Sequence, residues 1–180
     1  MTDNKTLIAN IVRRITDATV YWEQTQQKGI STRAKSAHFR AGIMVSATVV
    51  EALVFLLIRG KTRHLDPIIR TVTFQKPVYN FKTSDPLFGG MVICRKEKED
   101  VTLLGRKSTF QFMNQYCLEE GLITQKEFGR LEKTRDIRAG FHVFTLAGKD
   151  RGYTAPLFRE MQEQISFLID KINLHSKLKP

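Results

Sequence analysis

Along the first 27 residues apolar side chains return every three or four positions. Leu7, Ile8, Ile11, Val12 and Ile15 fall at helical spacing, which predicts a first helix over about 4–27 that Gly29 closes. Ser31 or Ser36 caps a second helix, which continues through a nearly unbroken apolar run from Gly42 to Ile58 as far as Gly60. Two capping boxes then mark helix starts. Ser108 with Gln111 opens a helix that Gly121 ends after Glu119 and Glu120, and Thr124 with Glu127 opens another that runs through Phe144. Thr154, with Pro156 in the first turn, starts a last helix reaching about Leu174.

Between Gly60 and Gly105 the period changes. Three of the five prolines, Pro67, Pro77 and Pro86, fall here, with Gly89 and Gly90 behind them. Val72 to Phe74, Met91 to Cys94 and Val101 to Leu104 predict three short strands. The segment of about 61–105 therefore reads as an insertion, a hairpin or long loop, between the second and third helices. The chain is expected to be mainly α, a bundle of about five helices forming one domain over 1–180. A length of 180 residues suits one sizeable core.

The run from Gly42 to Ile58 is nearly long enough to span a bilayer. Glu51 lies in its middle, Ser46 and Thr48 interrupt it, and Arg40 and Arg59 flank it. A spanning helix wants roughly 20 apolar residues with few or no charges, so the run is expected to be the buried central helix of the bundle. The first five residues lack the basic-then-apolar order of a signal peptide. Cys94 and Cys117 have no second Cys and no His at ligand spacing. The expectation is a soluble, cytoplasmic chain with no membrane partner, no metal and no cofactor.

Charge narrows the partner class. Lys and Arg number 29 against 18 acids, a net charge of +11, and such an excess gathers phosphate polyanions near the surface. Residues 28–40 and 59–64 are free of acids. Arg33, Lys35 and Arg40 in the first stretch, and Arg59, Lys61 and Arg63 in the second, are candidate contacts to an RNA backbone. Tyr21 and Trp22 offer stacking faces, although packing is the stronger expectation for both.

The candidate chemistry lies late in the chain. On a continuous helix Arg135, Arg138 and His142 are spaced i, i+3, i+7 and share an arc of roughly 60°. Thr134, Ile137, Phe141 and Phe144 form the neighbouring stripe, assigned to the core. Two guanidiniums steady a phosphate while an imidazole exchanges a proton near neutral pH. With the ribose 2′-hydroxyl as nucleophile, that set suffices in principle for RNA cleavage. Glu51, a carboxylate inside an apolar helix, needs a partner and is a candidate to orient Arg135 or Arg138.

In this segment the chain resembles the HEPN superfamily, small helical-bundle proteins that include many metal-independent RNases. Their signature is an Arg, often followed by a polar residue, then a His after four to six intervening positions. Arg135, Asp136 and His142 match its long form. Arg33 with His38 and Arg59 with His64 fit the same bare spacing, but His142 follows a capping box on a late helix, where the family carries its site. Arg138 leaves three residues before His142, one short of the pattern, so Arg135 is the preferred motif Arg and Arg138 a second phosphate contact. The resemblance implies a metal-independent endoribonuclease of the kind found among toxins and defence effectors. It also implies a homodimer with paired motifs, an antitoxin or nucleotidyltransferase partner, and Asp136 as an orienting group. The alternatives are a non-catalytic RNA- or nucleotide-binding module of the same fold, or a protein-interaction partner.

Overall fold

The computed structural model describes residues 4–62, 68–80, 91–105, 109–139 and 153–177. It is mainly α, with helices α1 (Asn4–Thr25), α2 (Thr32–Thr62), α3 (Phe110–Glu119), α4 (Gln125–Ala139) and α5 (Ala155–Lys177), and strands β1 (Ile69–Asn80) and β2 (Val92–Thr102) between α2 and α3. The chain divides into two compact units, Leu65–Ser108 and a helical unit made of Met1–His64 with Thr109–Pro180.

Local chemistry sets the helix ends. Gly29, at φ 79°, lies in the turn after α1, and Ser31 caps α2 by accepting from the Ala34 amide at 3.2 Å. α2 continues past Gly60 to Thr62, two residues beyond the expected stop, because one glycine weakens a helix without ending it. Thr109, not Ser108, is the N-cap of α3, its hydroxyl accepting from the Phe112 amide at 3.1 Å. Ser108 lies outside the described residues. The second capping box forms in full: Thr124 N–H donates to Glu127 Oε2 at 2.6 Å, and Glu127 N–H donates to Thr124 Oγ1 at 3.3 Å. α4 is described to Ala139, so its expected continuation through Phe144 lies outside the described residues.

α2 is the central helix and packs against α1, α3, α4 and α5. Tyr21 and Trp22 near the end of α1 meet His38 and Phe39 near the start of α2, while Ala18, a turn earlier, shares a cluster with Ile43, a turn later, so α1 runs antiparallel to α2. α5 runs parallel to α2: Phe158 lies over Gly42, and one turn on Gln162 Nε2 donates to Ser46 Oγ at 2.9 Å. α4 is antiparallel to α5, with Glu127 beside Lys171 at 3.4 Å and Lys133 beside Glu160 at 2.6 Å. At the α1–α2–α5 contact Ala18, Phe39, Ile43, Phe158 and Met161 form one buried cluster, with Trp22 and Ile137 packed on it. A β-carbon on Gly42 would lie 2.1 Å from Phe158 Cε2, so this glycine lets the ring pass close to the α2 backbone.

α2 is long and apolar enough to cross a membrane by length and composition. In this structure eleven of its residues, from Phe39 to Ile58, are buried, and those side chains meet the other four helices.

In the Leu65–Ser108 unit β1 and β2 form a two-stranded antiparallel sheet. Its register runs from Ile69 opposite Thr102 to Asn80 opposite Val92, with an irregularity at Pro77–Tyr79. The expected second and third short strands are one strand. The charged run Arg95 to Asp100, which reads as a break by composition, is paired throughout with β1, because ladder hydrogen bonds involve the backbone and the run's own charged side chains remain in reach of water.

Candidate functional site

α4 carries Arg135, Asp136 and Arg138, on which part of the chemistry was expected. Leu131 and Thr134 are fully buried and fix the face that meets the bundle. Thr134 Oγ1 donates to Gln164 Oε1 of α5 at 2.8 Å. Arg138 is seven residues beyond Leu131, so it lies close to the same line as the core residues, two turns nearer the helix end. Its Nη1 pairs with Glu51 Oε2 of α2. The buried-helix carboxylate thus has a partner, and of the two candidates it orients Arg138, not Arg135. The Arg138 side chain remains 42% exposed, so its guanidinium is held on one side and open to solvent on the other.

Arg135 is engaged differently. Its Nη1 lies 2.6 Å from Glu132 Oε2, and its Nη2 and Nε donate to Asp136 Oδ1 at 2.9 and 3.3 Å. All three guanidinium nitrogens therefore face carboxylates of the same helix. Glu132 is itself fixed, because Oε1 accepts from Asn114 Nδ2 of α3 at 2.9 Å. Sequence reasoning missed Glu132, although its place three residues before Arg135 is a standard helical pairing distance. Of the two arginines, Arg138 has the more open fork, while Arg135 lies against two carboxylates of its own helix. Ile137 packs on the buried cluster as expected, and His142, Phe141 and Phe144 lie outside the described residues.

Of the six expected RNA-backbone contacts, the five that are described do not form one cluster. Arg33, Lys35 and Arg40 lie in the first third of α2, and Arg59 and Lys61 in its last turn. At 1.5 Å per residue Arg33 and Arg59 are about 40 Å apart along the axis, because one 31-residue helix separates the two stretches. Lys61 is also 3.7 Å from Glu120. Arg40 sits 5.5 Å from the centre of the Tyr153 ring, and Arg159 of α5 lies 5.6 Å from the Trp22 ring. Trp22 further meets Phe39 and Phe158 at 6.1 and 5.3 Å. Its faces are taken up by packing, as the sequence led us to expect. Arg63 lies outside the described residues.

No family model matches the chain, and no curated protein or solved structure does. The site is therefore read from its own residues. Among the described residues no three His, Cys, Asp or Glu side chains gather as a metal site would require. Cys117 is buried, and loss of solvation pushes its thiol up to about 12, so it stays protonated and unreactive near neutral pH. Arg138, paired with Glu51, lies four residues ahead of His142 in sequence.

Proposed function

We propose that this chain is a HEPN-like, RNA-acting protein and, in its leading reading, a metal-independent endoribonuclease. The observation that carries the proposal is the Glu51–Arg138 pair. A carboxylate in the middle of the most apolar helix is costly, and here it holds a half-exposed guanidinium at the end of α4. A fork oriented in that way contacts phosphate with little further loss of freedom. His142 is then the acid–base group. It takes the proton of the ribose 2′-hydroxyl, the 2′-oxygen bonds to phosphorus, the bond to the 5′-oxygen breaks, and that oxygen leaves with the proton returned by the imidazolium. The products are a 2′,3′-cyclic phosphate and a free 5′-hydroxyl. Arg138 balances the charge that gathers on the phosphoryl oxygens, with Arg135 and Asp136 beside it. As the resemblance implies, the working unit is a homodimer, soluble and cytoplasmic, with an antitoxin or nucleotidyltransferase as its regulatory partner.

A second reading has its own support. Glu132 and Asp136 occupy Arg135, leaving one open guanidinium, and only three residues separate Arg138 from His142. That arrangement suits a module that binds RNA without cutting it. The deciding experiment is incubation of cellular RNA with the purified chain in EDTA, beside His142→Ala and Arg138→Ala. Cleavage by the parent, lost in His142→Ala with RNA retention kept, supports the nuclease. Salt-sensitive retention with no cleavage by any of the three supports the binding module. Neither cleavage nor retention would sink both.

A further inference from the structure

Helix α1 carries two apolar lines, and the bundle uses one of them. Ile11, Ala18 and Thr25 are buried, and Trp22 packs on the core cluster against Phe39 and Phe158. These positions mark the side on which α1 faces α2 and α5. About 100° round the helix a second line runs through Lys5, Ile8, Val12, Ile15, Thr19 and Glu23. The alternating steps of three and four from Lys5 to Thr19 are those of a helix–helix seam. Ile8 is 49% and Val12 58% exposed, and Ile15 is partly buried beside them. Single exposed apolar side chains mean little, whereas an apolar row along one helix marks a contact surface. The threonines do not oppose that role. Thr19 Oγ1 donates to the Ile15 carbonyl at 3.1 Å, and Thr16 Oγ1, bordering the line, donates to the Val12 carbonyl at 3.2 Å. The row can therefore leave water without stranding a hydroxyl donor.

Charge selects the occupant. Lys5 and Glu23 stand at opposite ends of the row, about 27 Å apart along the axis. A second α1 laid antiparallel about a two-fold axis near position 14 brings Lys5 beside the second copy's Glu23. The same placement sets Ile8 beside Thr19, and Val12 beside Ile15 and Thr16, each contact made twice. A parallel copy would set lysine against lysine and glutamate against glutamate. RNA has little to hold here, since Arg13 and Arg14 lie more than about 100° away from the row, where Arg14 pairs with Asp17 at 3.3 Å. An anionic bilayer would meet Glu23 as well as Lys5. We propose that two copies of this chain pair through the Ile8–Val12–Ile15–Thr19 row of α1, antiparallel, with a Lys5–Glu23 ion pair at each end. This gives the homodimer of the proposed function a specific interface, and it stands on α1 without the RNA chemistry.

The test is sedimentation velocity of the full chain over a range of concentrations. The parent should pass from monomer to dimer as concentration rises. Val12→Glu, at an exposed position, should weaken the dimer more than about tenfold, with the helical far-UV signal unchanged. Lys5→Glu and Glu23→Lys should each weaken it about two- to tenfold, and the two together should restore it, a recovery that the parallel order does not give. If Val12→Glu fails to fold, this charge exchange decides. The proposal is overturned if the parent stays monomeric throughout, if Val12→Glu dimerises as well as the parent, or if the double exchange recovers nothing. RNA cleavage and retention measured on the same proteins keep the two proposals apart. A dimer broken by Val12→Glu in a chain with no action on RNA leaves the α1 surface standing and removes the RNA reading.

Discussion

Replacing Gly42 by Ala adds one methyl group where α2 and α5 come closest. Its carbon would sit 2.1 Å from Phe158 Cε2, with two further ring carbons at 3.0 and 3.1 Å. Carbon atoms prefer roughly 3.5–4.0 Å, so the overlap is more than 1 Å. The ring has little room to give, since Phe158 is buried among Ala18, Phe39, Ile43 and Met161 and stacks on Trp22. Overpacking of this kind costs about 1–3 kcal/mol. Against it stands the better helix propensity of Ala, about 1 kcal/mol over Gly in a helix interior. The net expectation is a loss of roughly 0–2 kcal/mol, against a gain at an unobstructed site. Gly129 on α4 is the control, because nothing lies within 4 Å of a β-carbon there. Gly129→Ala should stabilise by about 0.5–1 kcal/mol. Urea unfolding followed by far-UV circular dichroism measures both. Adding Phe158→Leu to Gly42→Ala should recover part of the loss, a coupling that separate sites would not show. If Gly42→Ala stabilises as much as Gly129→Ala, the close passage of α2 and α5 is not what this glycine is for.

Three other outcomes follow from the same packing. Thr134→Val leaves the Gln164 amide, whose Nε2 already lacks a partner, without its hydrogen bond to Thr134; a loss of about 1–3 kcal/mol is expected, and Thr134→Val with Gln164→Leu should restore most of it on urea unfolding. For Glu127, loss of solvation pushes the carboxyl up, but the Thr124 amide and hydroxyl together with Lys171 outweigh it, and the net shift is downward. A lowered folded value means that its contribution is complete above the ordinary glutamate value of about 4.3 and is lost as pH falls through the lowered one. Glu127→Gln should therefore flatten the acid limb of a stability–pH curve, and an unchanged limb would argue that another carboxylate sets it. For the cysteines, a maleimide should label one thiol in the native chain, Cys94, and both after denaturation, because the Cys117 thiol is buried and pushed up to about 12; rapid native labelling of Cys117 in a mass spectrum would contradict the packing of α3.

Much of the helical layout was legible in the sequence because its signals are local. Thr124 and Glu127 announced α4 through a reciprocal pair of hydrogen bonds three residues apart. Gly121, at φ 64°, marked the end of α3 where a left-handed backbone is required. The apolar run around Glu51 foretold a central helix because apolar residues on every side need neighbours on every side. The hairpin was half legible. Its prolines and glycines gave the insertion away, but the charged stretch Arg95 to Asp100 hid a continuous strand, since its cross-strand partners, Lys76 back to Thr71, are far away in sequence.

The sequence by itself determined where the five helices lie to within a few residues at their described ends, that cations outnumber acids, and that Glu51 needs a partner. Only the tertiary structure decided which partner. Arg135 and Arg138 look alike in sequence, yet one is held by carboxylates of its own helix and the other reaches across to α2. The difference arises from the direction of each side chain around α4, which is fixed by the burial of Leu131 and Thr134 against the bundle. In the same way Arg33 and Arg59, both candidate contacts to one backbone, lie near opposite ends of α2 in space. Local periodicity sets what each helix can present, and packing between helices sets where it is presented.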